Sequence, residues 1–398
     1  MWIAPPTFSL DNGAYSGAQT LELSHPDAGV EIRYTTDGSD PTPFSSFYNN
    51  PITVDENQAV KAIAIKSGYA NSRASLRSYL IDTPLNLPTL FLTSDPDHFF
   101  SDESGIYVVG TNGVTGFCSN DPRNYAHSDW ERPANLTLFE TDGTEAFNVN
   151  VGVQIGGACS RNFDLKGLNI YLREKVYGDD NINYQLYKGR DHNNYFRFKL
   201  RNSGQDFIRM GFRDGLIQTM LWDAVDLDLQ GYQPTVMYLN GEYWGIHNIR
   251  ENFNDEYFET NYDIKSDELD LIKSPALSWQ EVKKGDDLNY MSLFNYIDNN
   301  DLSDQTHYDY VEERIDMNEF TNYWITMGYT ANYDWPANNI IVWRERKSNA
   351  KWRWAVLDTD GSTGNGLTPQ ADFDFNTLEQ ITDPNSTCLL YTSPSPRD

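Results

Sequence analysis

What this 398-residue chain lacks sets the first limits. Its three cysteines, Cys118, Cys159 and Cys388, are too few and too scattered for a disulfide framework or a thiolate zinc cluster. Cys118 and Cys159 read either as one bridge in an oxidising compartment or as two unrelated buried thiols, and the second reading weighs more. No apolar run approaches the ~18 residues of a membrane span. No basic, apolar leader opens the chain either; MWIAPPTFS begins almost at a strand, so the natural start is read as missing. Basic charge is scarce. Thirty Lys and Arg face 58 Asp and Glu, a formal −28, which argues against nucleic acid or an anionic membrane and permits a basic protein partner. Internal repeats and low-complexity segments are absent.

The chemistry that is present concentrates between Tyr329 and Gly364. Two apolar strands, Ile340-Ile-Val-Trp343 and Trp352-Arg-Trp-Ala-Val-Leu357, flank the polar loop Arg346-Lys-Ser-Asn349, which reads as a β-hairpin. Asp334-Trp-Pro-Ala-Asn-Asn339 precedes it and Asp358-Thr-Asp360-Gly361 follows. A hairpin brings its outer ends together, so Asp334, Asn339, Asp358 and Asp360 are expected to converge. Such oxygen donors suit Mg²⁺ or Mn²⁺ rather than zinc. The spacing also matches a kinase catalytic loop, with an Asp and an Asn five residues apart, a hairpin, then a metal-binding Asp close to Gly. The plainer alternative is a pair of Asn- and Asp-rich turns.

Taken in order, residues 1–82 alternate like an all-β module, with Val30–Thr35 and Val60–Ile65 as period-2 strands around turns at Asp37-Gly38 and Asp40-Pro41. Asp82–Pro88 is a proline-stiffened linker, and 94–134 is an irregular stretch expected to strap the next domain or to form a functional loop. Hairpin strands follow at 135–139 and 147–155. Then come Gly156-Gly157 beside Ser160 and Arg161, whose amides and cation suit a phosphate, then Lys166 and the strand Leu168–Leu172. A helix is expected over about Asp206–Val225, with Leu216, Ile217, Met220, Leu221, Ala224 and Val225 on one face. Asp214 near its start suits the helix dipole, or pairs with Lys166. Asn240-Gly241 marks a further hairpin, closed by Arg250-Glu251. Glu251 falls where a hinge would let it meet a base or ribose. The remainder reads as largely helical, with a capped start at Asp316-Met-Asn-Glu319.

Two resemblances organise these features. YTTDGSDPT at 34–42 resembles the small β-sandwich found at the C-terminal end of chitobiases, with Tyr34, Tyr48 and Tyr69 either contacting carbohydrate or packing its core. The motifs GVQIGGACSRNFDLKGLNIYL, IRMGFRDGL, NGEYWGIHNIRE, NYDWPANN and WRWAVLDTDGSTG, in that order over about 88–380, resemble the CotH-type spore-coat kinase family. That resemblance implies an α+β, atypical protein-kinase-like two-lobe fold, C-terminally truncated, after the small all-β sandwich. It implies a secreted or cell-surface enzyme that moves the ATP γ-phosphoryl group, with Mg²⁺ or Mn²⁺, to Ser or Thr of a protein substrate, here a basic, Ser-rich one. Lys166 would hold the phosphates with Arg161 and Ser160 near them, and Asp214 would orient Lys166. Asp334 would be the base or metal-side acid of the catalytic loop, and Asn339, Asp358 and Asp360 the metal ligands. Where the family usually carries a basic pair, this chain has Asp164-Leu165-Lys166. That leaves a second reading, a coat or surface protein that keeps the fold without the transfer; a carbohydrate-active enzyme is the third. The expected domains are 1–82, the linker and strap 83–134, and the kinase-like domain 135–387. The final eleven residues, CLLYTSPSPRD, resemble a translated sequencing adapter, so the natural chain is expected to continue past Thr387.

Overall fold

The computed structural model describes residues 2–364 apart from 117, 276–279, 333 and 337, together with 376, 377 and 379. The adapter-like tail lies outside the described residues. The chain divides into two compact units, Met1–Asn202 with Gln233–Ile249, and Ser203–Tyr232 with Arg250–Asp398.

The first unit opens with the expected all-β module. Strands Gly13–Tyr15, Ser75–Ile81, Gln58–Ile65, Glu31–Thr35 and Ser46–Phe47 form one sheet in that order, and two short ribbons complete the module. Alternation sends Ile32, Val60, Ala62, Tyr79 and Ile81 into a shared core with Leu21, Leu23, Ile52 and Val54. Tyr34 and Tyr48 pack edge to face against that core at 6.4 Å between ring centroids, so both are structural in the first instance.

The same unit continues into a closed barrel of seven strands. Their order is Thr89–Thr93, Arg132–Phe139, Glu145–Ile155, Leu168–Tyr171, Arg197–Arg201, Glu242–Arg250 and Tyr232–Leu239. A parallel pairing of the first with the last closes it. Leu90, Leu92, Leu136, Val151, Val153, Ile170, Phe198 and Met237 fill its interior. Asn240 and Gly241 both take positive φ, 53° and 101°, as a two-residue hairpin turn requires. Ala59, Leu80, Phe91 and Phe139 form a small cluster that joins the sandwich to the barrel.

The second unit is less helical than the sequence suggests. Helices Asp255–Tyr262, Leu288–Asn299, Gln305–Glu312 and Met317–Tyr329 accompany an antiparallel sheet of Glu281–Lys284, Leu269–Lys273, Ile340–Glu345 and Arg353–Val356. The first two strands escaped sequence reading because Glu281–Lys284 has no apolar face to bury and Leu269–Lys273 is a single short run. The expected long helix over 206–225 is also corrected. It spans only Arg213–Leu221, because the Asp206 carboxylate accepts from the Met210 and Arg213 amides and Gly211 turns left-handed, at φ 74°. Its apolar stripe is buried only in part. Arg213, Asp214, Ile217 and Gln218 face inward while Met220 stands 69% exposed.

Asp316 caps the helix Met317–Tyr329 by accepting from the Glu319 amide, as expected. The Glu319 side chain turns elsewhere. Fully buried, it accepts the Trp354 amide on both oxygens, at 3.1 and 3.0 Å. Burial, reinforced by the Asp228 charge, pushes its carboxyl up to about 9. A pKa raised on folding contributes stability that is present below about pH 4.5 and is lost progressively as pH rises towards 9. Glu319→Gln keeps an oxygen for Trp354 and removes the ionisation. The variant is expected to melt about 2–4 °C above the parent at pH 8, with the gap closing towards pH 5. Parallel melting curves across that range would expose an error.

Candidate functional site

The helix Met317–Tyr329 delivers the chain to the acidic end of the hairpin. Trp335, almost fully buried, sits edge-on to Trp324 at 4.8 Å and fixes the loop that carries Asp334 onto that helix. Across the hairpin Ile340 pairs with Val356, so Asn339 and Asp358 lie just beyond the same end of the ladder. Both take left-handed backbone, at φ 57° and 59°, a conformation that Asn and Asp tolerate better than most and that concentrates at functional loops.

The two flanks meet there. Asn332 bridges them, its Nδ2 donating to the Asp358 carbonyl at 3.0 Å while its Oδ1 accepts from the Asp334 amide at 3.2 Å. Asp334 Oδ2 accepts from Asn339 Nδ2 at 2.7 Å and from Asn338 Nδ2 at 3.1 Å. Desolvation first, and the Asp358 charge second, raise the Asp334 carboxyl above the usual carboxylate range. Two acids close enough to raise one another's charge cost, beside two asparagines, are a donor set that a hard divalent cation would relieve. Asp360 is less committed to that cluster. It is 7% exposed and its Oδ2 accepts from the Gln205 amide at 2.9 Å. Among the described residues no group of three or more His, Cys, Asp or Glu is gathered as a metal site, so the fit rests on Asp358 and Asn339, with Asp334 beside them.

Asp214 is held within its own unit. Its Oδ2 pairs with Arg250 at 2.9 Å, and its Oδ1 accepts from the Thr359 amide at 3.0 Å, Thr359 Oγ1 at 2.9 Å and Gln218 Nε2 at 3.0 Å. Gly215 follows it because a Cβ there would come within 2.2 Å of the Tyr232 ring. Glu251, expected to reach a base or ribose, is buried and accepts from the Gly231 amide at 2.6 Å.

In the first unit, Ser160, Arg161 and Lys166 share one short segment. Gly157 holds φ +93° with Ser160 Oγ tucked where its Cβ would be, so the turn needs glycine. Arg161 donates from Nε to the Gly157 carbonyl at 2.6 Å and from Nη1 to the carbonyls of Ala126 and His127. Lys166 Nζ donates to the carbonyls of Arg161 and Phe163, at 2.9 and 2.7 Å, and lies 4.1 Å from the Tyr125 ring centroid and 5.2 Å from that of Tyr107. Its cation is met by carbonyls and rings of its own unit. Desolvation lowers its ammonium to about 8. His247, fully buried, donates Nε2–H to the Lys166 carbonyl and is held neutral, at about 4, by that burial.

Residues of the 94–134 stretch meet this segment. Tyr107 Oη accepts from the Lys166 amide at 2.8 Å, and Tyr125 Oη donates to Asn162 Oδ1 at 3.2 Å. Cys118 and Cys159 then join the two chemically, which corrects the expectation of unrelated thiols. Their Cα atoms, 5.0 Å apart, lie within bridging range, although 41 residues separate them in sequence. No spacing rule could have shown this, because a strap and a turn meet only in the folded barrel.

With this geometry in hand, the comparisons place the chain in a family. It belongs to the CotH kinase protein family, whose model matches residues 153–392. A second match, to the chitobiase/beta-hexosaminidase C-terminal domain, covers residues 10–76. Comparison with curated proteins gives no match. Among solved structures, extracellular domains 3–5 of Drosophila OTK align at 9% identity over 50% of this chain and 88% of that one; the TM-score of 0.15 carries no argument.

Proposed function

We propose that this protein is an atypical protein kinase with a kinase-like two-lobe architecture, transferring the ATP γ-phosphoryl group to Ser or Thr of a secreted or coat protein. The observation that carries the reading is Asp334. Two asparagine amides hold its Oδ2, its Oδ1 has no hydrogen bond among the described residues, and Asp358 stands near enough to raise its pKa. That is how a loop carboxylate is prepared to take a hydroxyl proton beside a cation-binding acid. The spacing of Asp334, Asn339 and Asp358 about one hairpin supports the same conclusion.

ATP with Mg²⁺ or Mn²⁺ would supply the phosphoryl group and the charge neutralisation. Asp358, Asn339 and, at the edge of the cluster, Asp360 would hold the cation. Asp334 would orient the substrate hydroxyl and accept its proton. Lys166, Arg161 and Ser160 would take the phosphates, with Glu251 behind the nucleotide as a structural carboxylate. The −28 charge suits a basic, Ser-rich protein substrate, and the Cys118–Cys159 bridge suits a secreted or cell-surface setting. Carbohydrate contact through the N-terminal sandwich would fall to its exposed rings, Tyr69 among them, since Tyr34 and Tyr48 pack its core.

One observation favours a second reading, a coat or surface protein without transfer. The Lys166 ammonium is already satisfied by two carbonyls. Thermal shift separates the two, because only a nucleotide-binding protein gains stability from Mn-ATP. For the kinase reading, Asp358→Ala is expected to abolish metal-dependent ATP binding measured by calorimetry. Unchanged affinity in that variant would sink the assignment.

A further inference from the structure

The buried polar face of the helix Arg213–Leu221 has no place in the expected kinase scheme, in which its carboxylate serves the phosphate-binding lysine. Within its own unit its contacts reach the loop that follows Asp358. Asp214 Oδ1 accepts both the amide and the hydroxyl of Thr359, the residue between Asp358 and Asp360. Arg213 Nη1 donates to the Ser362 carbonyl at 2.8 Å, the Thr363 carbonyl at 2.8 Å and Thr363 Oγ1 at 2.7 Å. Two consecutive residues thus grip the loop on both sides of Asp360.

Each grip is itself anchored. Arg213 Nε and its amide donate to the fully buried Asp206 at 3.2 and 3.1 Å, and Asp214 Oδ2 pairs with Arg250 at 2.9 Å between side chains no more than 5% exposed. Asp360 closes the circuit by accepting from the Gln205 amide, one residue before Asp206. Buried charges are costly unless they are paired and oriented, so a set this complete fixes the geometry of what it touches. What it touches is the loop from Thr359 to Thr363, directly after the left-handed Asp358, a conformation that needs support from its surroundings.

We infer that Arg213 and Asp214, backed by Asp206 and Arg250, are positioning residues that set the Asp358–Asp360 loop for its divalent cation. The inference rests on the kinase reading above and adds a role for the helix start within it. Arg213 and Asp214 act by fixing the backbone that carries Asp358, as outer partners of metal ligands commonly do, at a typical cost of about 10–100-fold in metal affinity when removed.

Thr359→Val keeps the side-chain shape and removes only the hydroxyl given to Asp214; Thr359→Ser restores it. Arg213→Lys keeps the charge opposite Asp206 and loses the planar fork that reaches Ser362 and Thr363. Mn²⁺ affinity is measured by electron paramagnetic resonance on the full chain, with melting midpoints and Thr359 amide exchange recorded alongside. The expected result is about a tenfold loss of Mn²⁺ affinity in Thr359→Val and Arg213→Lys, faster exchange at Thr359, and recovery in Thr359→Ser. If the parent and Thr359→Ser bind Mn²⁺, Asp358→Ala does not, and Thr359→Val and Arg213→Lys bind as the parent does, the positioning role is overturned while the kinase reading stands. If the parent itself binds no Mn²⁺, with or without ATP, both fall together.

Discussion

Asp334→Asn is expected to lower phosphoryl transfer by about 10²–10⁴-fold, the usual contribution of a positioned acid or base. The fold should survive, because an amide oxygen can still accept from Asn338 and Asn339. Loss of the carboxylate also removes one of two facing charges, so the parent's raised Asp334 pKa and the repulsion from Asp358 disappear together. Nucleotide affinity should therefore change much less than rate. Single-turnover transfer from labelled ATP to a basic, Ser-rich protein, compared with binding by calorimetry, reads the two quantities separately. A variant that transfers within about tenfold of the parent would remove Asp334 from the chemistry.

The second large effect concerns stability. Arg353 donates to Asp228 at 3.4 Å, Asp316 at 2.9 Å and Asp226 at 3.1 Å, and Asp228 is completely buried where it also accepts from Trp343 Nε1 and the Tyr262 hydroxyl. Removing the cation leaves the buried Asp228 carboxylate without its compensating charge, while Glu319, raised to about 9, is already neutral near pH 7. Arg353→Met is expected to cost about 3–5 kcal/mol of unfolding free energy, the range for breaking a buried pair from one side. Adding Asp228→Asn should recover most of that loss, since the amide carries no charge to strand. Urea melts of the single and double variants decide it. Equal destabilisation in both would show that packing, not charge, dominates at Arg353.

Much of this protein is legible in its sequence wherever a local rule operates. The hairpin 340–356 announced itself by two apolar runs about a polar loop, and with it the neighbourhood of Asp334, Asn339 and Asp358. Asn240-Gly241 and the Asp316 cap were likewise local signals. What could not be read were partners far apart in the chain. Asp214 carries a carboxylate that suits a helix start, yet nothing local says that Thr359 and Arg250 will claim it. The periodicity of Leu216, Ile217, Met220 and Leu221 suggested one apolar buried face, whereas Leu216 and Met220 stand exposed and the pairing of Arg213 and Asp214 turns those polar residues inward beside Ile217. Tyr107 and Tyr125 were ordinary members of an irregular stretch until the barrel brought them against Lys166. Asn332 lay inside the recognised motif, and its bridging role needed the register of the hairpin.

The most direct test is to locate the cation. Crystals of the full chain grown with Mn²⁺ and a non-hydrolysable ATP analogue, measured for manganese anomalous scattering, should show a peak about 2.0–2.5 Å from oxygens of Asp358 and Asn339, with Asp334 adjacent. A bound nucleotide whose manganese sits away from the hairpin end would contradict the account.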